Sequence, residues 1–525
     1  SCQNQCVIRN RLRRPSERTV AGAVAAAAAF VVGLVQFRHG IVHLLDTVSY
    51  WSGAQAVADG HPFTTRLAPS FSNFSAVEFA ERGGRIPFVD FPLAYPLSAG
   101  TLGVLIGVRR AMQLLCVLAL AAIAWSIVAG SDRRAPARRS WFMALAGLSV
   151  VMLPASRMVT QGALSEPLFC AVVLWLVVAL ARFRDGGDSR PVFVLGTLVG
   201  LLRFIGAPLV VLVAWEHHRR HRDARKAVLI AVSMVTPSAI NALWASLSGG
   251  GHNAGWRGLQ RTDVETLVRS IGGWFDSRQG DLRRTYFTLD GPSWWSWFVA
   301  LAWCTLLAYA LISLLRRNGR LPAVAELALV ASGIVTAGLV AGMAGFDGLV
   351  IADNRLMLPS GVLTVAALFW TVHANHDHLA RRGLAFAPVA ALIAWTVVAV
   401  DPTNVTESFS DTSGPRSYSV AAAELGASVV VSNDADALHW DTGIPAAYAP
   451  LAVKPLTGEV VDEVPLYEEL PCALLRNDGV VVLSPEATFS VVNRDLLDAQ
   501  VETGRLSFEA VTGADVYRPT DDACR

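Results

Sequence analysis

Apolar runs near the length that crosses a bilayer recur along the first 400 residues, and this repetition constrains the fold more than any other feature. A helix needs about 20 residues to span the hydrocarbon core. The candidate spans are 19–37, 93–108, 111–130, 141–155, 165–183, 227–247, 294–315, 321–345, 356–372 and 384–400. Charged residues make up 16% of the chain, against about 25% in soluble domains. Lipid is therefore the solvent for most of this protein. Some runs are short, so the expected count is about nine to thirteen.

The basic residues set an orientation. Arg9, Arg11, Arg13, Arg14 and Arg18 precede the first run and predict a cytoplasmic N-terminal segment. The clusters Arg133/Arg134/Arg138/Arg139, Arg219/Arg220/Arg222/Arg225/Lys226, Arg316/Arg317/Arg320 and Arg381/Arg382 read as inside too. The expected organisation is a multi-span domain over 1–400, with external loops at 38–92 and 248–293, followed by an extracytoplasmic domain over 401–525. The stretch 191–215 then enters and leaves on the cytoplasmic side, as a hairpin broken near Gly206-Ala207-Pro208. If 93–108 and 111–130 both cross, inside/outside parity fails before Arg133, and the sequence leaves open which one stops short. The first run reads as a retained span, because no small-x-small cleavage site follows it. Only Lys226 and Lys454 are lysine among 44 basic residues, a bias that points to a GC-rich bacterial genome and a plasma-membrane location.

From Asp401 the composition turns mixed. Ala427–Ser432, Ala446–Pro450 and Gly479–Pro485 read as strands, Glu486–Ala499 as helical, and Arg505–Tyr517 as a closing strand pair. The predicted result is a small α/β module. Its polar cluster Asn433-Asp434-Ala435-Asp436 with His439-Trp440-Asp441 suits either sugar contact or ordinary cap and turn chemistry. Cys116, Cys170 and Cys304 sit in apolar runs as packing residues, while Cys472 and Cys524 share the external domain, where a disulfide is permitted but not required.

Two carboxylates bracket the first loop. Asp46 follows the first run, and Asp90 stands in Phe88-Val89-Asp90-Phe91-Pro92 where the chain turns back to apolar sequence. Asp46 can serve as a general base, a cation ligand or a helix N-cap. The cap reading does not account for Asp90 among aromatic residues. Arg157, Arg203 and Arg355 lie at or within spans, where an arginine costs about 2.5–3.5 kcal/mol on insertion scales and needs a partner. A phosphate matches the guanidinium fork, and the alternative is an internal ion pair, for example Arg203 with Glu166 or Asp353. Glu166 reads as a structural partner. The histidines His217/His218/His221 and His373/His376/His378 read as solvated loop residues, because no carboxylate or cysteine frame surrounds them. No P-loop, dinucleotide fingerprint or nucleophile elbow is present, and no nucleic-acid partner is expected.

At these residues the chain resembles the GT-C membrane glycosyltransferases, a group that includes protein O-mannosyltransferases and lipid A aminoarabinose transferases. The resemblance covers about residues 19–210 and the Asp353-Asn354-Arg355…Pro359 segment. Asp46 matches the family's acid after the first span, and Asp90 before Pro92 and Pro96 matches its second acid. Ser156-Arg157 with Glu166-Pro167-Leu168, Gly200–Arg203 and Arg355–Pro359 match three further family segments. Asp46 is followed by Thr47, where many O-mannosyltransferases have Asp-Glu, which counts against a protein acceptor. The resemblance implies an inverting transfer of a hexosyl or pentosyl group from a polyprenyl-phosphate donor to an extracytoplasmic envelope glycan, lipid or protein. On that reading Asp46 is the base, Asp90 positions acceptor, base or a divalent cation, and Arg203, Arg355 and Arg157 hold the phosphate. A cation, if used, would sit on Asp46 and Asp90. The alternatives are a transporter of envelope precursors and a non-catalytic assembly protein of the same fold.

Overall fold

The structure is a computed structural model and describes residues 16–69 (except His39 and His43), 74–88, 91–131, 137–248, 319–345, 354–374, 415–450, 462–484 and 492–525 (except Thr512), with isolated positions between 305 and 315. Asp90, Asp353, Cys2, Cys6, Cys304, His376, His378, the loop 249–293 and the span candidate 384–400 lie outside the described residues, as does most of the candidate 294–315.

The first span, α1 (Glu17–Gln36), shows why a poly-alanine run packs here. Ala21, Ala25, Ala29 and Gly33 recur every fourth residue and are buried, while Val24, Val31, Leu34 and Val35 are exposed. Small residues on one face let backbones approach closely in lipid, with branched residues turned outward. The first loop follows, with α2 (Leu45–Ala58), β1 (Thr64–Thr65), β2 (Leu67–Ala68), α3 (Ala76–Glu81) and β3 (Ile86–Pro87). Then come α4 (Ala94–Ile106), α5 (Val108–Ala129), α6 (Ala137–Val151), α7 (Pro154–Gln161) and α8 (Glu166–Arg184). The small face of α1 lies on α5 and α6, and α5 also carries α8.

Contacts at the two ends of these helices answer the parity question. Arg18, at the start of α1, donates Nε to the Val128 carbonyl at 3.1 Å, and its Nη2 bonds the Ala129 carbonyl at the end of α5. The two helices therefore run antiparallel with those ends on one membrane face. At the opposite end of α5, Arg109 donates to the Trp440 carbonyl in the C-terminal module at 2.5 Å. Helix α4 has 13 residues, a rise of about 20 Å against a core of about 30 Å. Gly107 joins it to α5 with φ 85°, a left-handed backbone that glycine supplies at no steric cost. The run 93–108 is thus the one that stops short, and α4 packs against α2 instead of crossing. A methyl group on Gly100 would collide with the Ala54 carbonyl and Val57, so this contact needs glycine.

The broken hairpin is present. Helix α9 (Arg190–Leu202) and α10 (Leu209–His221) flank a single 3-10 turn at Phe204–Gly206. Both feet sit at the Arg184 end of α8. Arg184 Nε meets Glu216 at 2.6 Å, and Arg220 donates to the Phe183 and Gly187 carbonyls at 2.7 and 2.8 Å. The tip returns to the Glu166 end. Next come α11 (Ala224–Ser248), α12 (Ala323–Gly345) and α13 (Asn354–Ala374), the last two packed on each other and on α8. Among the described residues five helices are long and apolar enough to cross: α1, α5, α8, α12 and α13.

The C-terminal region is α/β: α14 (Ser417–Glu424), β4 (Val429–Ser432), α15 (Ala435–Thr442), β5 (Ala446–Tyr448), α16 (Val464–Arg476), β6 (Gly479–Leu483), α17 (Arg494–Glu502), β7 (Leu506–Val511) and β8 (Ala514–Pro519). The expected strands are found; of the helix expected at Glu486–Ala499, the described part is α17 from Arg494, and 485–491 lie outside the described residues. The sheet order is β2-β5-β4-β6-β8-β7, parallel from β2 to β6 and antiparallel beyond. β4 is buried on both faces, which explains its unbroken Val429-Val430-Val431. The edge strand β2 comes from the first loop, and α3 of that loop packs on α16. A Cys472–Cys524 disulfide ties α16 to the last residues.

Arg18, Arg182, Arg184 and Arg220 share one membrane face, and the module with the first loop occupies the other. The positive-inside rule predicts that the arginine face is cytoplasmic. A Glu509→Cys protein lacking Cys2 and Cys6 should then react with an impermeant thiol reagent in intact cells. Labelling only after lysis would reverse the orientation.

Candidate active site

Helix α2 carries Asp46 and is pinned at the site-side ends of the spans. Its N-cap is Leu44, with no side-chain cap bond, so Asp46 is not the N-cap that its neighbourhood suggests. It sits half-buried in the first turn, where the helix dipole favours a negative charge. Thr47 Oγ1 donates to the Gly162 carbonyl at 2.6 Å, and the Val42 amide donates to the Gln161 carbonyl at 2.8 Å. Tyr50 and Ser165 share a hydrogen bond of 2.9 Å. All three anchors lie at the corner between α7 and α8. There Ala163 takes φ 48°, rare for a residue with a side chain, and its carbonyl accepts from the Tyr95 hydroxyl at 2.5 Å.

Arg203 reaches this corner from the hairpin tip. Its Nη1 lies 2.6 Å from Glu166 Oε1 and donates to Ser165 Oγ at 3.2 Å. The side chains are 12% and 1% exposed, so this is the internal ion pair that the sequence offered as the alternative to phosphate contact. Pro167 in the first turn of α8 lacks an amide hydrogen that would go unused there, and so marks where α8 begins. Arg157 is half-buried on α7, one turn before the Gln161–Gly162 anchor. Arg355 stands in the first turn of α13, and its neighbours Leu356 and Met357 pack around Leu339 together with Ile205, two residues from Arg203. Phe91 packs on Tyr50, with ring centres 4.6 Å apart. Asp46, Ser165, Glu166 and Arg203 are thus brought to one corner.

The C-terminal module closes over α2. The ring of Trp51 lies 5.0 Å from His439 and 5.1 Å from Trp440, and the Arg109 guanidinium stands 4.0 Å from the Trp440 ring and 5.1 Å from that of Trp51. A cation between aromatic faces away from water contributes about 1–2 kcal/mol per contact. His439 Nδ1 donates to the Ile444 carbonyl at 2.6 Å, which leaves Nε2 to accept from Ser52 Oγ at 3.0 Å. Ser52 Oγ in turn accepts from Thr65 Oγ1 and the Arg66 amide at 2.8 and 3.0 Å. Burial holds the ring neutral, its pKa lowered to about 4.

The polar cluster divides by role. Asn433 bonds the Ser484 backbone in both directions, at 2.8 and 2.7 Å, and locks β4 to β6. Asp434 accepts from the Tyr418 hydroxyl, and Asp441 pairs with Arg416 at 3.1 Å. These three hold the module's own elements together, and Asp434 makes no side-chain cap bond, while His439 belongs to the interface with α2. Arg109, Ser52 and Trp51 were not singled out from sequence. The one signal was Arg109-Arg110, two residues after Gly107 and between two apolar runs. The histidine expectation is corrected. His217, His218 and His221 lie in α10, where His217 is buried and stacked on Phe183, and His373 is buried in α13. Helix continuation past the apolar run, not a loop, puts them there. Among the described residues no three metal-ligating side chains come together.

Two measurements follow. Glu166→Gln should leave the Arg203 charge buried against a neutral amide and lower stability by about 3–5 kcal/mol in detergent unfolding; a loss below about 1 kcal/mol would show the pair to be solvated. For His439, the unfolded ring binds a proton near pH 6.5 and the folded ring only near 4. The parent's stability advantage over His439→Gln should be full above pH 6.5 and shrink by about 3 kcal/mol as pH falls to 4. A constant difference across that window would place the ring in water.

No protein-family model and no curated protein sequence matches the chain. Among solved structures, the arabinofuranosyltransferase AftD from Mycobacteria overlays with a TM-score of 0.51 at 14% identity, covering 95% of this chain and 40% of AftD. ArnT from Cupriavidus metallidurans, bound to undecaprenyl phosphate, gives 0.43 at 15% identity, with 95% and 98% covered. The oligosaccharyltransferase AglB from Archaeoglobus fulgidus, in complex with an inhibitory peptide and a dolichol-phosphate, gives 0.43 at 12%, with 94% and 74% covered. The chain spans about 40% of the length of AftD and shares its fold, the GT-C-like architecture that the motifs implied.

Proposed function

We propose that the protein is an inverting glycosyltransferase that moves a sugar from a polyprenyl-phosphate donor to a hydroxyl of an extracytoplasmic envelope acceptor. The observation that carries this reading is the convergence of Asp46 with Ser165, Glu166 and Arg203 where membrane helices meet the first loop. That boundary is where a lipid-borne phosphate and a water-borne acceptor can meet.

In the proposed reaction the acceptor oxygen attacks the anomeric carbon from the side opposite the phosphate. The bond from that carbon to the phosphate oxygen breaks, polyprenyl phosphate leaves with the electron pair, and Asp46 takes the acceptor proton. Asp90 is assigned to position the acceptor, the base or a divalent cation, with Asp46 and Asp90 the ligands if a cation takes part. Arg355 and Arg157 are assigned to the donor phosphate with Arg203. Arg203 already holds Glu166, so its share of the phosphate charge is smaller. The fold shared with an arabinofuranosyltransferase makes an arabinofuranosyl group on polyprenyl phosphate the first donor to test.

General-base assistance typically contributes about 10²–10⁴-fold in rate. Asp46→Asn should therefore lose that much turnover with a radiolabelled polyprenyl-phosphate sugar, while fold and donor binding survive. Near-parental turnover would remove the base role, and no transfer by the parent with any donor would favour the transport or assembly readings. Arg355→Lys keeps a charge and loses the bidentate fork, so donor binding should weaken; unchanged affinity would free Arg355 from the phosphate role.

A further inference from the structure

We propose that the corner between α10 and α11 is a binding site for an anionic phospholipid of the leaflet at the arginine face. The apolar part of the site is a stripe on α11. Leu229, Val232, Ile240, Leu243 and Leu247 fall on one face of that helix and are 58% to 77% exposed. From Leu229 to Leu247 the rise is about 27 Å, close to the roughly 30 Å of a hydrocarbon core, so lipid tails match this stripe in height. Arg225 lies on the same face one turn before Leu229, at the level of the headgroups, and is exposed. Helix α10 repeats the order at four-residue steps, with Val211, Trp215 and Arg219 all exposed. An indole between apolar and charged neighbours is the usual occupant of the boundary between lipid and water.

The turn between the helices holds the second observation. Arg222 has φ 56° and ψ 23°, a left-handed backbone that strains any residue with a side chain and that glycine ordinarily takes at a helix end. Its amide donates to the His218 carbonyl at 2.7 Å and closes α10. Asp223 then starts α11, accepting from the Lys226 amide at 3.0 Å and lying 3.8 Å from the Lys226 ammonium. Closing this turn calls for the backbone of glycine and not for a guanidinium, so what arginine adds there is charge. Nearby charges do not consume it. Arg184 is held by Glu216 and Glu326, Arg220 by the Phe183 and Gly187 carbonyls, and Arg219 stands 4.0 Å from the same Glu216. Arg222 and Arg225 make no ion pair among the described residues. A phosphodiester accepts from guanidinium forks, and only a lipid carries it on tails that cover the stripe. The corner lies at the foot of the hairpin, away from the Glu166 end, so this inference does not rest on the proposed function.

The test uses the purified full-length protein in a neutral detergent, titrated with phosphatidylglycerol or with phosphatidylcholine of the same acyl chains, and bound lipid is counted by native mass spectrometry. Phosphatidylglycerol should bind more tightly. One basic side chain at an anionic lipid surface is worth about fivefold in affinity. Arg222→Gly and Arg225→Gln should each weaken the tightest phosphatidylglycerol binding by about that factor and leave phosphatidylcholine unchanged. Arg222→Gly also relieves the left-handed backbone, so it should melt no lower than the parent, which separates loss of a ligand from loss of fold. If that variant cannot be purified, Arg222→Asn, which tolerates the same backbone, should show the same loss. Equal binding of the two lipids by the parent, or parental phosphatidylglycerol affinity in either arginine variant, overturns the proposal. Inorganic phosphate should fail to displace the lipid; displacement would show a site for the free anion and overturn the lipid assignment.

Discussion

The ion pair between Arg203 and Glu166 is the constraint on which the arrangement of the site depends. Neither charge can stand alone at that depth, because removing one partner of a buried pair costs about 3–5 kcal/mol. The pair fixes the tip of a hairpin that does not cross the bilayer against the start of a helix that does. Ser165 passes the constraint to Tyr50, and Thr47 adds a second tie to the same corner. Asp46, directly before Thr47, has its position set by a contact made more than a hundred residues later. A buried ion pair is weak as a source of net stability, and its value here lies in register.

The C-terminal module is woven into the first loop, not hung from the last span. A two-residue strand, Leu67–Ala68, forms one edge of its sheet, and α3 packs on α16. In open parallel sheets ligands usually bind beyond the carboxyl ends of the strands, where the strand order reverses. Here β4 connects onward to β5 on one side and β6 lies on the other, and α15 leaves that carboxyl end to land on α2.

What the sequence disclosed and what it hid divide along a physical line. Spans, the hairpin break and the strands β4, β5 and β6 were legible because each is a local pattern: a run of apolar length, a Gly-Ala-Pro interruption, a stretch of consecutive valines. The pairing of Arg203 with Glu166 was legible as a need, since an arginine in an apolar run must find a partner. The short crossing was visible only as a failure of parity, and its cause, Gly107 in a left-handed conformation, required backbone geometry. Strand β2 was invisible because two residues carry no period. His439 stood in a cluster dense enough to notice, yet nothing local separates a turn residue from one that meets the first loop.

Trp51 and Trp440 lie 389 residues apart in a chain of 525, so their contact depends on the module reaching α2. Arg109 stands at that joint. Its guanidinium lies against Trp440 and Trp51, from the first turn of the helix whose far end is gripped by Arg18. The same helix therefore reports on both faces of the membrane, through one arginine at each end. An interface built this way is complete only when the span bundle, the first loop and the module are all in place.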